Sequence, residues 1–155
     1  MTDLKKMMKA LKAKGNERTR KIYASHGMDG DAFGVSAADL KVFAKSIKGQ
    51  HQLALDLYDT GNLDAMYLAG LVADGAQMNK KQLEAWAKQA AWVWASEYVV
   101  PWVTAESKHA QTLALKWMDA KQEHVAATGW CTYAGIMTTT ADDELDFAEI
   151  KALLK

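Results

Sequence analysis

Leu53-Ala54-Leu55-Asp56-Leu57-Tyr58-Asp59 returns further along the chain as Leu113-Ala114-Leu115-Lys116-Trp117-Met118-Asp119. Between them, Leu83-Glu84-Ala85-Trp86-Ala87 opens on a leucine at the matching step. Leu53, Leu83 and Leu113 are evenly spaced at a period of about 30, inside the range that marks stacked repeats. Each copy opens a helical pattern, and a second helical pattern follows it. A helix pair cannot bury its apolar stripe alone, so neighbours must stack. The expected fold is all-α, an α-α superhelix built as a right-handed stack of antiparallel helix pairs. Its concave face suits a long partner, a nucleic acid or another protein, better than a small buried ligand.

Working outward from the repeats, the spacing predicts helix pairs over 50–59 and 62–74, over 79–90 and 92–104, and over 107–119 and 121–137. Asn62 and Asn79 are the expected caps. A last helix over 142–154 carries Leu145, Phe147, Ile150, Leu153 and Leu154. Either it caps the stack, or a further carboxy-terminal part follows it. Towards the start, Leu4, Met7, Met8 and Leu11 fall at helical spacing. Gly15-Asn16 stops that helix and caps one carrying Ile22 and Tyr23. Ser36-Ala37-Ala38-Asp39 resembles a capping box for a helix holding Leu40, Phe43, Ala44 and Ile47. The glycine-rich run from His26 to Val35 matches neither a Walker loop nor a dinucleotide fingerprint, and reads as a structural loop.

The 155 residues fit one domain spanning 1–155. Half are apolar and a quarter charged, as in ordinary globular chains. No apolar run reaches the ~18 residues of a membrane span. The stretch Met1-Thr2-Asp3-Leu4-Lys5-Lys6 is charged with no apolar region behind it, unlike a signal peptide. The single cysteine, Cys131, fits a reducing, cytoplasmic compartment. There is no CxxC or HExxH, so no metal is expected, and nothing calls for a cofactor. Net charge is zero, but lysines and arginines crowd the first 21 residues and acids crowd 142–149. A local basic patch suffices to meet phosphates, although two solvated helix faces of opposite sign would leave the same pattern.

The densest chemistry lies in Ala91-Trp92-Val93-Trp94-Ala95-Ser96-Glu97-Tyr98-Val99-Val100-Pro101-Trp102. Trp94, Tyr98 and Trp102 fall four apart on one helix face, with Trp92 pointing elsewhere. Pro101 should kink or end the helix. Most of the six tryptophans are expected in the core, yet indoles in a groove also stack on sugars, bases or cations. Glu97 is the one acid embedded in this run. It is the candidate for a carboxylate that stabilises a developing cation, with a surface charge as its plain alternative.

Together these segments resemble the DNA alkylation repair family, the HEAT-like-repeat alkylpurine DNA glycosylases. The likeness runs through Lys21-Ile22-Tyr23-Ala24-Ser25-His26-Gly27, then Phe33 to Lys45, similar to a G-V-x-x-x-x-L-R-x-[IL]-A-K signature. It continues through Leu53 to Tyr58, then Asp64-Ala65-Met66-Tyr67-Leu68-Ala69-Gly70-Leu71-Val72-Ala73-Asp74 in place of E-A-R-x-L-A-x-L-I-A-D. Gln82 to Trp86 and Val125 to Met137 follow in order. The resemblance implies stacked HEAT-like helix pairs, duplex DNA as partner, and hydrolytic release of purines alkylated on a ring nitrogen. It implies a tryptophan and aspartate in W-x-x-x-D, with an arginine and an aromatic residue on the next repeat.

The chain departs from that pattern at the charges. Ser96 follows Trp92 by four, and Tyr98 follows Trp94 by four. The next-repeat arginine falls on Ala127, its aromatic partner on Trp130, and the arginine of E-A-R on Met66. A serine cannot stabilise a cation through charge, and an alanine cannot clamp a phosphate. Three readings follow. One is a DNA-binding glycosylase with Glu97 as acid. The second is a non-catalytic DNA- or protein-binding scaffold with an aromatic groove of Trp92, Trp94, Tyr98 and Trp130. The third is a protein-interaction solenoid without a nucleic-acid role. Duplex DNA, met by Arg18, Arg20, Lys21, Lys41 and Lys45 on a monomer, is the favoured partner, and no membrane is involved.

Overall fold

Asparagine and serine side chains set four of the helix starts. The computed structural model describes residues 3–155; Met1 and Thr2 of the amino-terminal stretch lie outside the described residues. Helix α1 spans Asp3–Lys14. Asn16 accepts from the Arg18 and Thr19 amides to open α2, Glu17–Ser25. Ser36 accepts from Asp39 to open α3, Ala37–Ser46. Asn62 caps α5, Leu63–Val72, and Asn79 with Gln82 forms a reciprocal capping box on α6, Lys80–Gln89. Helix α4 is His51–Asp59. After a π turn at Ala95–Val99 come α7, Val100–Ala105, α8, Ala110–Met118, α9, Glu123–Thr139, and α10, Phe147–Leu153. Among the described residues there is no strand.

The three period-marking leucines open equivalent helices. Leu53, Leu83 and Leu113 are all buried, on α4, α6 and α8. The second helices form the facing layer, in which α3 packs on α5, α5 on the π turn and α7, and α7 on α9. The bonds that tie neighbouring units together repeat at nearly the same interval. Asn62 Nδ2 donates to Asp31 across 31 residues, and Tyr58 Oη donates to the Trp86 carbonyl across 28. Lys116 pairs with Glu84 across 32. This is the superhelical stack of helix pairs that the sequence period requires.

The π turn answers Pro101. In an α-helix the proline ring would press on the carbonyl four residues back, and it has no N–H to offer. Bonding Val100 N–H to the Ala95 carbonyl widens the turn just before the proline. The chain bends there without breaking, and α7 continues through Pro101. Elsewhere the predicted ranges shorten at their ends: 107–109 is a turn before α8, and 142–144 is a short 3-10 turn before α10.

Candidate functional site

The helical wheel places Trp92 away from Trp94, and the structure corrects this. Residues 90–92 lie outside any helix, so the wheel does not govern Trp92. Its ring stacks on Trp94 with centroids 4.7 Å apart and planes at 22°. Tyr23 of α2 meets both indoles, and Tyr67 of α5 meets Trp94 and Trp102. Tyr98 closes the row against Trp102 at 5.9 Å. The aromatic row thus draws on α2, α5 and the stretch 92–102, and Tyr23 and Tyr67 are members that reading one segment missed. Trp92 is buried, and its indole N–H finds no acceptor. Tyr98 and Trp102 are 47% and 39% exposed. Trp130, on α9, is 43% exposed and joins none of these ring contacts. Trp86 and Trp117 are core, and Trp86 stacks flat on Tyr58.

Asp64 lies at the Tyr23 end of this row, and Glu97 at its Tyr98–Trp102 end. Asp64 is 3% exposed at the start of α5. Its Oδ2 accepts from the Phe33 and Gly34 amides at 2.6 and 3.1 Å, and its Oδ1 from Val35 at 2.9 Å. Burial holds its carboxyl above the usual aspartate range, against the pull of those three amides. The glycine-rich run is therefore a structural loop clamped by one carboxylate. Gly34, at φ +81°, is required there: a Cβ would lie 2.4 Å from the Asn16 carbonyl oxygen. The Val35 carbonyl in turn accepts from Tyr23 Oη at 2.7 Å, which fastens α2 to the loop.

Glu97 is exposed and faces a different space, an open cleft of about 670 Å³ between α7 and α9. It shares that cleft with Trp102, Glu106, Cys131, Thr138 and Thr139. Burial, and then Glu97, push the Cys131 thiol up. Ser96 points into the helix itself: it is buried, and its Oγ donates to the Trp92 carbonyl at 3.3 Å. Met66 is buried and Ala127 is half-buried. Among the described residues no group of three or more His, Cys, Asp or Glu side chains could hold a metal ion. Nor is any helix there long and apolar enough to cross a membrane.

Arg18, Arg20 and Lys21 are exposed on α2, and Lys41 and Lys45 are exposed one turn apart on α3. Arg20 is engaged by Glu17 through two hydrogen bonds of 3.0 and 3.1 Å. Arg18 and Lys21 stand three apart, on the side of α2 away from buried Tyr23.

Burial sets an alkaline limit on this fold. Desolvation lifts the Tyr23 phenol to about 12 and Tyr133 to about 12, the latter also through its bond to Glu149, and raises Tyr58 as well. An unfolded phenol ionises near 10, so above that pH the unfolded chain releases protons first. The stability these neutral phenols contribute is full below about pH 10 and is lost as pH rises through about 12. Phenolate absorbance and loss of helical circular dichroism are expected to rise together over that window. Smooth ionisation near pH 10 with helices intact would contradict this account.

Capped helix pairs in register, with a second-helix layer carrying aromatic side chains, define a HEAT-like helical-repeat protein. Residues 7–155 match the profile of the DNA alkylation repair enzyme family, and the chain belongs to that family. An uncharacterized protein of Listeria innocua is 26% identical over 129 residues, covering 80% of this chain and 58% of the relative. One of Listeria monocytogenes is 25% identical over the same span. The chain thus spans less than two thirds of the length of these relatives. A solved structure superposes with a TM-score of 0.89 at 38% identity, over 97% of this chain and 64% of its own. That protein is described as one of "a new family of proteins related to the HEAT-like repeat DNA glycosylases with affinity for branched DNA structures".

Proposed function

We propose that this chain binds DNA through the cationic surfaces of α2 and α3, without releasing bases by its family's usual route. The observation that carries this is the contrast between two sets of positions. All five cations expected to meet phosphates are exposed. The position of the family's aspartate falls on Ser96 or on Tyr98, both without a carboxylate, and Ser96 is turned back on its own helix. The arginine positions hold Ala127 and buried Met66. What remains is a scaffold able to neutralise phosphates and short of the charges that stabilise an oxocarbenium-like sugar. The affinity for branched DNA described for the structural relative extends this reading to forks and junctions. We read the chain as one monomeric domain acting in the cytoplasm, with a protein partner as the alternative occupant of the groove.

The test compares a four-way junction with a linear duplex of equal length. If about four of the five cations meet phosphates, log affinity should fall against log salt with a slope near −4. That is a loss on the order of 10²-fold between 50 and 200 mM salt. Lys41→Glu with Lys45→Glu should flatten the slope. Affinity that does not change with salt would overturn the reading. DNA carrying methylated purines should show no base release above background. Release abolished by Glu97→Gln would instead favour the glycosylase reading.

A further inference from the structure

The cleft between α7 and α9 has a chemistry opposite to that of a phosphate site. Glu97 and Glu106 both line it, and no lysine, arginine or histidine does. Among the described residues neither carboxylate takes part in an ion pair. The cleft hydroxyls are already committed as donors to their own helix. Thr138 Oγ1 donates to the Gly135 carbonyl at 2.7 Å, and Thr139 Oγ1 to Ile136 at 3.1 Å. Each offers the cleft only acceptor lone pairs. The indole of Trp102 is partly exposed there, with Tyr98 against it. A pocket of unpaired carboxylates and acceptor hydroxyls beside an indole, with no cationic side chain in its lining, repels phosphate.

The geometry points to a binding site for an organic cation that carries N–H donors, an alkylguanidinium or alkylammonium. The indole face attracts the charge, one or other of the two carboxylates pairs with it, and the threonine oxygens accept its N–H groups. Glu97 lies in the π turn and Glu106 just past the end of α7, nine residues on, a separation of roughly 10–13 Å. The site is therefore elongated, wide enough for a basic side chain and its stem. This is a function separate from DNA binding on α2 and α3, because the same carboxylates repel the phosphate backbone. The cation comes either as a free small molecule or as a side chain on a peptide.

Cys131 reports on the site directly. It is the only cysteine of the chain and lines the cleft. Methyl methanethiosulfonate gives its thiolate a mixed disulfide, with methanesulfinate leaving, and a bound cation should slow that reaction. Arginine ethyl ester and a short blocked arginine peptide, each at millimolar concentration and without DNA, are the two arms. With the ligand at about four times a millimolar Kd, at least one should slow labelling about fivefold. Protection by the ester marks a free ligand. Protection confined to the peptide marks a protein-borne one. Glu97→Gln with Glu106→Gln should abolish protection, and Trp102→Leu should weaken it. Both glutamates are exposed, so the variants should keep the helical circular dichroism of the parent. No protection in either arm overturns the proposal. So does protection that survives the double substitution, or equal protection by tetramethylammonium, which has no N–H.

Discussion

Asp64→Ala is expected to cost about 4 kcal/mol of folding stability. It should also weaken DNA binding, although it removes a negative charge. The carboxylate satisfies the amides of Phe33, Gly34 and Val35 in a loop where Gly34 and Val35 are buried. Each buried donor left without a partner costs about 1–3 kcal/mol. Against a domain stability of about 5–15 kcal/mol, that loss is large. Asp64→Asn should cost less, about 2 kcal/mol, because one amide oxygen can still accept from two donors while its NH₂ faces the third. The pH dependence separates the two effects. Burial holds the Asp64 carboxyl above 3.8, so its contribution is greatest in acid and is lost as pH rises through the folded value. Asp64→Asn should remove that slope from an acid-range urea titration. The binding effect follows from Val35, whose carbonyl anchors Tyr23 and with it α2. A loosened loop releases the helix that carries Arg18 and Lys21. Tighter DNA binding by Asp64→Ala would show that α2 does not depend on this clamp.

The fold was legible because its determinants are local. Leu53, Leu83 and Leu113 announce the period. Asn16, Ser36, Asn62 and Asn79 announce helix starts through bonds to amides two or three residues on. The candidate site was legible only in part, because its contacts cross units. The distance of 31 residues from Phe33 to Asp64 leaves no pattern inside one window. Asp64 also stands where a family motif places a glutamate, and that likeness drew attention to Met66 two residues later. Glu97 follows Trp92 and Trp94 closely in sequence, but of the three tryptophans in that stretch only Trp102 shares its cleft. The break at 90–92 and the π turn rotate Trp92 and Trp94 towards Tyr23 and leave Glu97 facing α9. One signal could have warned of this: Pro101 makes the register of the preceding turn unreliable for any wheel drawn through it.

Helices α8 and α9 meet backbone to backbone at Gly129, and Gly129→Val is expected to shift α9 and with it one wall of the α7–α9 cleft. A Cβ at Gly129 would lie 2.5 Å from the Met118 nitrogen, 2.8 Å from the Ala114 carbonyl oxygen and 2.9 Å from the Trp117 carbonyl carbon. All three are backbone atoms of α8, so no side chain can swing away. Two effects oppose each other in Gly129→Ala. Helix propensity favours alanine by about 1 kcal/mol. Overpacking against fixed backbone costs about 3 kcal/mol, the upper part of the usual range. The clash wins, and a net loss of about 2 kcal/mol is expected in urea denaturation. Valine adds two carbons and regains little propensity, so Gly129→Val should lose about 4 kcal/mol. The displaced helix is α9, which carries Cys131, Gly135, Thr138 and Thr139 along the cleft. Opening of that wall should speed labelling of Cys131 in whatever fraction stays folded. Stabilisation by Gly129→Ala would mean that propensity prevails, and that α8 and α9 do not meet backbone to backbone at this point.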